Sequence, residues 1–425
     1  MQPTAVNPTV TRPARRHPVR PGTRRRRGPL GPLSVAGPPR YAAALLVDAL
    51  GAGLLRPFLL LYGVSVLGLR PGAAGLAMSA GMLAGLLVVP LTGRWIDRGA
   101  RGSVVAATLL VRTAGCGLLL ASGGPAGFTA AAVLLGVGSQ SFPTAHAATV
   151  AELTVGRARD TALAAGRALR NAGLGAGALL ATLALAGGAG ALRALAALTA
   201  LACAMAAGLV HSLRVTARPT AGPVDRHAPV ESPAADRALL RRIRLLSAAN
   251  LPFAFCFDVL EVALPALLVT RLHASPAWSS GIFVGNTVMV IAVQLAVVRR
   301  LAGRARRAAF GWAGVLLAGS YLGFWAAGAA GGTAGAAAVA AVALPYTLGE
   351  ILYTGSGTAL VVADAPPRLL GRALARWEFS SGVGRTLAPA TLTALLAVGP
   401  GVLWGALAAV TLLGAAAVAR FGPAS

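Results

Sequence analysis

The stretch Gly93–Arg101, with the sequence GRWIDRGAR, is a short charged turn between two long apolar segments. Residues 73–92 before it contain no charged side chain, and residues 103–122 after it contain only Arg112. Each segment has about the ~20 residues that a helix needs to cross a hydrocarbon core of ~30 Å. Because the turn is so short, the sequence predicts an antiparallel pair of membrane-spanning helices. The three arginines of the turn predict that it lies on the cytoplasmic side.

The composition of the whole chain agrees with a membrane protein. Hydrophobic residues make up 56% of the 425 residues and charged residues only 12%, with a mean hydropathy of +0.71. Soluble domains contain about 25% charged residues. All 38 basic residues other than histidine are arginines, and the net charge is +26. These arginines lie between apolar segments, so membrane orientation and anionic lipid explain them, and we expect no nucleic-acid partner.

The apolar segments predict the number of membrane crossings. Twelve segments of spanning length lie at about 41–67, 73–92, 103–122, 126–149, 164–187, 191–213, 243–270, 277–298, 308–328, 333–363, 376–398 and 401–420. The loops on one side contain only Arg70, Arg193 and Arg271, whereas most other arginines lie in the N-terminal segment and the alternate loops. This asymmetry predicts that both termini are cytoplasmic. We therefore predict an all-α, multi-pass membrane protein with twelve transmembrane helices.

The same pattern divides the chain into domains. We predict a disordered basic cytoplasmic tail at 1–40, a six-helix bundle at 41–213, a cytoplasmic linker at 214–242 and a second six-helix bundle at 243–421. The linker prediction rests on its prolines and mixed charges. Gly166-Arg167-Ala168-Leu169 recurs as Gly371-Arg372-Ala373-Leu374, and we align both with the start of the fifth helix of a bundle. Such a repeat predicts two pseudo-symmetric bundles, the architecture of secondary transporters.

The charged turn also carries a family motif. Gly93, Asp97, Arg98 and Arg101 have the spacing of the loop between the second and third helices of the major facilitator superfamily, although Ala100 stands where that motif has a glycine. Pro57–Tyr62, Gly349-Glu350 and Gly371-Arg372 are similar to segments of the bacterial drug–proton antiporters within that family. The resemblance extends from Tyr41 to about Arg420.

The resemblance implies a secondary transporter of the bacterial cytoplasmic membrane that exports a small organic compound in exchange for protons. It also implies that Gly93, Asp97, Arg98 and Arg101 form a conformational latch. In that latch, Asp97 would meet a helix N-terminus of the other bundle near Arg376. The expected partners are therefore a small molecule, protons and the lipid bilayer. Because one chain contains both bundles, we expect a monomer.

Ionisable residues inside the predicted spans are the strongest functional signal, because each costs about 2.5–3.5 kcal/mol at the bilayer centre on insertion scales. Asp48 and Arg56 lie in the first span and are too far apart to pair along one helix, so we expect Arg56 to pair across helices. Asp258 and Glu261 lie three residues apart in the seventh span and share a helix face. Two carboxylates so close repel each other, which favours protonation of one of them.

Two further spans contribute ionisable groups. Glu350 lies in the tenth span, and Arg385 in the eleventh could be its counter-ion or a substrate anchor. We expect Asp48, Asp258, Glu261 and Glu350 to border one central cavity. We expect Glu378 to form a surface pair with Arg376, and we find no partner for Arg112 in the sequence. Structural ion pairs between helices remain an alternative for all of these groups.

Other functions remain possible from the sequence. One is uptake or facilitated export of a polar metabolite such as a sugar or an amino acid. Another is a polytopic membrane enzyme or lipid-handling protein, which would need paired histidine or aspartate motifs at a membrane face. Because we find no such motifs, we expect no enzymatic activity. The sequence predicts no cofactor, no metal site and, since it has no lysine for a phosphate-binding loop, no use of ATP.

Overall fold

The computed structural model describes residues 38–99, 101–184, 188–213, 233–301 and 305–422. In these ranges the chain is helical and contains no strand. Most of the predicted tail, residues 1–37, and most of the predicted linker, residues 214–232, lie outside the described residues. The end of the predicted linker is helical, because a helix begins at Pro233 and not near residue 243.

The described chain forms twelve long helical segments, α1 to α12. The first six are α1 (Pro39–Leu55, continued by a 3-10 turn at Arg56–Phe58 and by Leu59–Ser65), α2 (Pro71–Asp97), α3 (Arg101–Ala121), α4 (Pro125–Leu153), α5 (Gly156–Ala184) and α6 (Gly188–Ser212). Proline begins α1, α2 and α4, at positions where its missing N–H has no helical partner in any case.

The second six segments repeat the pattern. They are α7 (Pro233–Ala254, continued by Cys256–Asp258, Val259–Ala263, Leu264–Ala266 and Leu267–Arg271), α8 (Pro276–Leu301), α9 (Arg306–Ala330), α10 (Gly332–Asp364), α11 (Leu370–Val398) and α12 (Pro400–Phe421). Proline begins α7, α8 and α12 in the same way.

The helices form two bundles. In the first, α1 packs on α5 and α6, and α4 packs on α2 and α3; in the second, α7 packs on α11 and α12, and α10 packs on α8 and α9. The main helix pairs that pack across the interface are α2 with α11 and α5 with α8. These two pairs are equivalent if the first bundle is exchanged for the second. The prediction of twelve helices in two pseudo-symmetric bundles is confirmed.

Within the described ranges, nine of the twelve helices are long and apolar enough to cross a membrane by length and composition alone. The other three are α4, α5 and α11, and all three pack against helices of the other bundle. The helix α5 begins at Gly156, before the predicted fifth span at about 164–187.

This earlier start changes the internal repeat. Gly371 is the second residue of α11, whereas Gly166 lies well inside α5. The residues at the start of α5 are Gly156-Arg157-Ala158, which match Gly371-Arg372-Ala373. The alignment of Gly166 with Gly371 is therefore wrong. By helix position, Gly371 corresponds to Gly156, ten residues before Gly166.

Close helix approach inside the first bundle depends on small residues. A Cβ added to Gly177 of α5 would lie 3.0 Å from the Cα of Gly53 in α1, and one added to Gly173 would lie 2.7 Å from the Cβ of Ala49. Membrane helices associate through such small-residue contacts, since lipid is as apolar as the helix surface. The contact fixes α1 against α5, which positions the charged groups of both helices.

Candidate functional site

The first functional element is an interruption of α1. Pro57 has no N–H to donate to the carbonyl of Gly53, and the helix tightens into the 3-10 turn Arg56–Phe58 at this point. The side chain of Arg56 is exposed, and among the described residues it forms no hydrogen bond or ion pair. A charge in this position is costly in a membrane unless it faces water or a ligand.

The second element is an interruption of α7. Pro265 has no N–H to donate to the carbonyl of Glu261, and the backbone forms a wider π-helical turn at Val259–Ala263. Glu261 lies inside this turn, and Asp258 immediately precedes it. Single π-turns within helices occur frequently at functional sites. The local irregularity of α7 therefore coincides with its two carboxylates.

The interruptions of α1 and α7 bring four charged groups together. Arg56 interacts electrostatically with Arg385 of α11 and with Glu261, and Asp258 interacts with both Arg385 and Glu261. The guanidinium carbon of Arg385 lies 5.3 Å from the centre of the Phe257 ring. We call Arg56, Asp258, Glu261 and Arg385 the four-charge site.

The four-charge site combines side chains from both bundles. Arg56, Glu261 and Arg385 are exposed although they lie within long helices and interact with one another. Arg56 comes from α1 of the first bundle, whereas the other three groups come from α7 and α11 of the second. Asp258 is half-buried, and its Oδ2 is buried without a hydrogen-bond partner among the described residues. None of the four side chains forms a salt bridge within the described part of the chain.

Asp48 does not belong to this site. Its carboxylate is 1% exposed and is bound by Arg112 of α3 and, at 3.3 Å, by Nη1 of Arg170 of α5. Arg112, for which the sequence offered no partner, thus pairs across helices with Asp48. The guanidinium of Arg170 also lies 4.4 Å from the centre of the Phe142 ring. We expected Asp48 to border a cavity with Asp258 and Glu261; in the structure it lies in a buried ion-pair cluster within the first bundle.

Glu350 forms a separate group on α10. Its Oε2 accepts a hydrogen bond of 2.9 Å from the side-chain amide of Asn286 in α8, which also donates to Thr347. The arginine with which Glu350 interacts electrostatically is Arg167 of α5. Arg385, the counter-ion suggested by the sequence, instead interacts with Asp258.

Arg167 is a half-buried charge that we did not count among the ionisable residues of the predicted spans. It lies inside α5, and its Nη1 is buried without a hydrogen-bond partner among the described residues. Its largest charge interaction is with Glu378 of α11, followed among acidic groups by Glu350. Glu378 is half-buried and is not part of a surface pair, because Arg376 donates to the carbonyl of Leu240 at 3.0 Å. Arg167 lies with Arg157, Arg159 and Arg170 in one arginine-rich segment, and this segment resembles the loop at the edge of the predicted span.

The charged turn between α2 and α3 contacts the second bundle. Asp97 accepts hydrogen bonds from the backbone N–H groups of Gly371 at 2.6 Å and Arg372 at 3.3 Å, and from Nε of Arg372 at 2.7 Å. These are the first residues of α11, so Asp97 meets the positive end of a helix dipole. The contact lies one helical turn before the predicted position near Arg376.

The other residues of the predicted latch differ in their positions. A Cβ added to Gly93 would lie 2.5 Å from the Cβ of Ala375, so Gly93 allows α2 and α11 to touch. Arg98 is exposed and directly follows α2 as its C-cap. The side chain of Arg101 lies outside the described part of the structure. Gly93 and Asp97 thus contact α11 directly.

Two pseudo-symmetric six-helix bundles with ionisable groups between them define a class of membrane transporters that move substrate by alternating access. The chain belongs to the Major Facilitator Superfamily, whose family model matches residues 41–389. No curated protein matches the sequence. Among the residues that the structure describes, no group of three or more His, Cys, Asp or Glu side chains could hold a metal ion.

Solved structures share the fold. The human organic anion transporter MFSD10 (TETRAN) superposes with a TM-score of 0.68 at 18% identity, covering 92% of this chain and 100% of that one. A bacterial homologue of the iron transporter ferroportin, in an outward-facing state with soaked iron, gives 0.70 at 14% identity, covering 90% and 98%. The transporter FucP, in the outward conformation, gives 0.66 at 13% identity, covering 92% and 97%.

Proposed function

We propose that the protein is a proton-coupled secondary transporter that exports a small organic compound by alternating access. The observation that carries the proposal is the four-charge site, in which charges from both bundles share an exposed space without forming salt bridges. Such groups are available to a substrate and to protons. The interrupted helices that carry them are a recurring feature of transporter binding sites.

The orientation of the chain follows from its arginines. We call the end of the bundles at which the α2–α3, α4–α5, α8–α9 and α10–α11 connections lie the Arg-rich face. We propose that this face is cytoplasmic, in the membrane of a bacterium, and that the protein is a monomer. At the Arg-rich face the bundles are held together by Asp97, so the space between them would open to the outside. Two structural relatives, the ferroportin homologue and FucP, were crystallised in outward-facing states, which agrees with this assignment.

The proton-carrying groups that we propose are Asp258 and Glu261. A carboxylate without a salt bridge can take up a proton from the outer solution and release it on the cytoplasmic side after the bundles rock. Export in exchange for protons follows if substrate and protons cannot occupy the site together. The resemblance of the first, tenth and eleventh helices to drug–proton antiporters supports this direction.

Inside-out membrane vesicles test the proposal. An imposed pH gradient, followed with a pH-sensitive dye, should be dissipated when a transported compound is added. We expect Glu261→Gln and Asp258→Asn to abolish this compound-dependent proton movement. Asp236→Asn is a matched control, since Asp236 pairs with Arg368 at the Arg-rich face, away from the four-charge site.

The same assay separates the alternatives. Uptake or facilitated export of a polar metabolite, which the charged site also suits, predicts compound movement that ignores the pH gradient in both the unmodified protein and the carboxylate variants. Proton movement that survives both substitutions would contradict the roles proposed for Asp258 and Glu261.

A further inference from the structure

We infer that the four-charge site binds an amphoteric compound, one that carries both an anionic carboxylate and a cationic amine. In this arrangement the carboxylate lies between the guanidinium groups of Arg56 and Arg385, and the amine binds Asp258 and Glu261. The inference rests on the transport function proposed above and names the chemical class of its substrate.

The charge balance of the site carries the inference. The four-charge site presents two arginines and two carboxylates, none of which forms a salt bridge among the described residues. A purely anionic ligand would therefore leave Asp258 and Glu261 unpaired. A purely cationic ligand would meet Arg56 and Arg385 instead. A ligand with both signs can pair with all four groups at once, and among membrane helices an unpaired charge is costly.

The surroundings of Arg56 point to an anion. The ionisable groups with the largest electrostatic effect on it are three further arginines, Arg385, Arg170 and Arg112. Arg170 and Arg112 already share the carboxylate of Asp48, whereas the Arg56 side chain has no hydrogen bond among the described residues. A guanidinium binds a carboxylate through two parallel hydrogen bonds, which gives both strength and direction.

The surroundings of Asp258 point to a cation. Among the described residues, no donor forms a hydrogen bond with its buried Oδ2. Burying a carboxylate oxygen without a hydrogen bond costs free energy. The ring of Phe257, next to Asp258 in sequence, packs against the guanidinium of Arg385. It adds an apolar surface beside these two charged groups. An ammonium group at Asp258 and Glu261 would supply the missing donor.

This assignment also links substrate to protons. An ammonium group and protons would compete for the same two carboxylates, so the site would hold one or the other. Mutual exclusion of this kind is the condition for exchange. A purely anionic substrate would instead bind best when Asp258 and Glu261 are protonated, and would travel in the same direction as the protons.

Matched ligand triplets test the inference. For the full chain purified in detergent, the shift of the thermal unfolding midpoint would be titrated with phenylalanine, tryptophan and 4-(aminomethyl)benzoate. Each would be compared with its methyl ester, which lacks the anion, and its N-acetyl derivative, which lacks the cation. We expect at least one parent compound to bind at least tenfold more tightly than both of its derivatives.

Variants assign the two ends of the ligand. Arg385→Gln, which removes a charge, should reduce binding of the parent compound to the level of its ester. Arg56→Lys should do the same, because it keeps the charge but removes the two parallel N–H donors of the guanidinium. Glu261→Gln should reduce it to the level of the N-acetyl derivative. Arg70→Gln, an exposed arginine at the end of the first bundle away from the Arg-rich face, should change neither.

The inference is overturned if no parent compound binds more tightly than both of its derivatives, or if the two selectivities survive these substitutions. If either outcome occurs but vesicles still release protons when the esters are added, the proposal of proton-coupled transport stands and only the substrate class is contradicted. Selective binding of the parent without any linked proton movement would instead support the site and contradict the coupling.

Discussion

The carboxylate of Asp97, at the end of α2, accepts the backbone N–H of Gly371 at 2.6 Å, at the start of α11 in the other bundle. The two groups are separated by 274 positions in the chain, and Asp97 also accepts Nε of Arg372 at 2.7 Å. Charge, helix dipole and hydrogen bonds act at one point here, so this contact can hold the bundles together on one side.

An equivalent contact joins the other pair of helices at the Arg-rich face. Arg306, the first residue of α9, donates to Asp160 in the first turns of α5 at 2.9 and 3.0 Å. Pseudo-symmetry relates the α8–α9 connection to the α2–α3 turn, and α5 to α11. The two contacts therefore occupy equivalent places, although the acid lies on the loop in one and on the helix in the other.

Replacing Asp97 should open the Arg-rich face. In Asp97→Ala, the helix-dipole interaction of about 0.3–1 kcal/mol is lost, together with charged hydrogen bonds worth about 1.5–3 kcal/mol. We expect the population of molecules open at this face to rise at least tenfold. Double electron–electron resonance would measure the distance between spin labels on Arg98→Cys and Pro367→Cys. The native cysteines Cys116, Cys203 and Cys256 are buried, so the labels should react only at the introduced cysteines.

Asp236→Ala provides the control for this measurement. It removes a carboxylate–arginine contact of 2.5 Å at the same face, but one that lies within the second bundle. An identical label distance in the Asp97 and Asp236 variants would show that Asp97 does not hold the bundles together.

Adding one methyl group to Gly371 should have a similar effect. The Cβ of Gly371→Ala would overlap the backbone carbonyl of Gly93 and lie 2.8 Å from Oδ1 of Asp97, and the backbone cannot move aside cheaply. We expect the label distance to increase and transport to fall at least tenfold. Gly75→Ala in α2 is the matched control, since its Cβ would meet no atom within 4 Å. Equal transport by the two variants would contradict the steric argument.

The features that could be predicted from the sequence are those encoded locally. Span length and the absence of charge are properties of contiguous segments, so the helix order and the two bundles followed from hydropathy and arginine placement. The contact of Asp97 with the second bundle followed only from the family resemblance. Its position shifted by one helical turn because the start of α11 could not be located from composition.

The charge pairs inside the bundles could not be predicted because they depend on packing between distant helices. Asp48 and Arg112 are 64 residues apart, and nothing in the sequence links them. Arg167 was missed for a different reason: four arginines between residues 157 and 170 lower the hydropathy of α5 below that of a typical span. The arginine-rich first half of α5 therefore resembles a loop by hydropathy, although it is helical.

Asp48 should act as a structural group and not as a proton carrier. Asp48→Asn leaves the buried Arg112 and the half-buried Arg170 without a counter-charge, and removing one partner of a buried ion pair costs about 3–5 kcal/mol. We expect a large decrease in the thermal unfolding midpoint, with proton coupling preserved in the molecules that fold. The double variant Asp48→Asn/Arg112→Gln should recover part of the lost stability. Full stability with loss of proton coupling would reverse this assignment.

The interaction of Arg167 with Glu378 should stabilise the state in which the two bundles are closed. Because Arg167 comes from α5 and Glu378 from α11, their interaction acts only while the bundles are closed near the Arg-rich face. We expect Arg167→Gln and Glu378→Gln each to increase the open population in the spin-label measurement. The double variant should add little to either single variant, because residues that act as a pair are not additive. Arg94→Gln, on the exposed end of α2, is the control for a general loss of positive charge. If the two single effects add fully, Arg167 and Glu378 act independently, and the gain in open population has another cause.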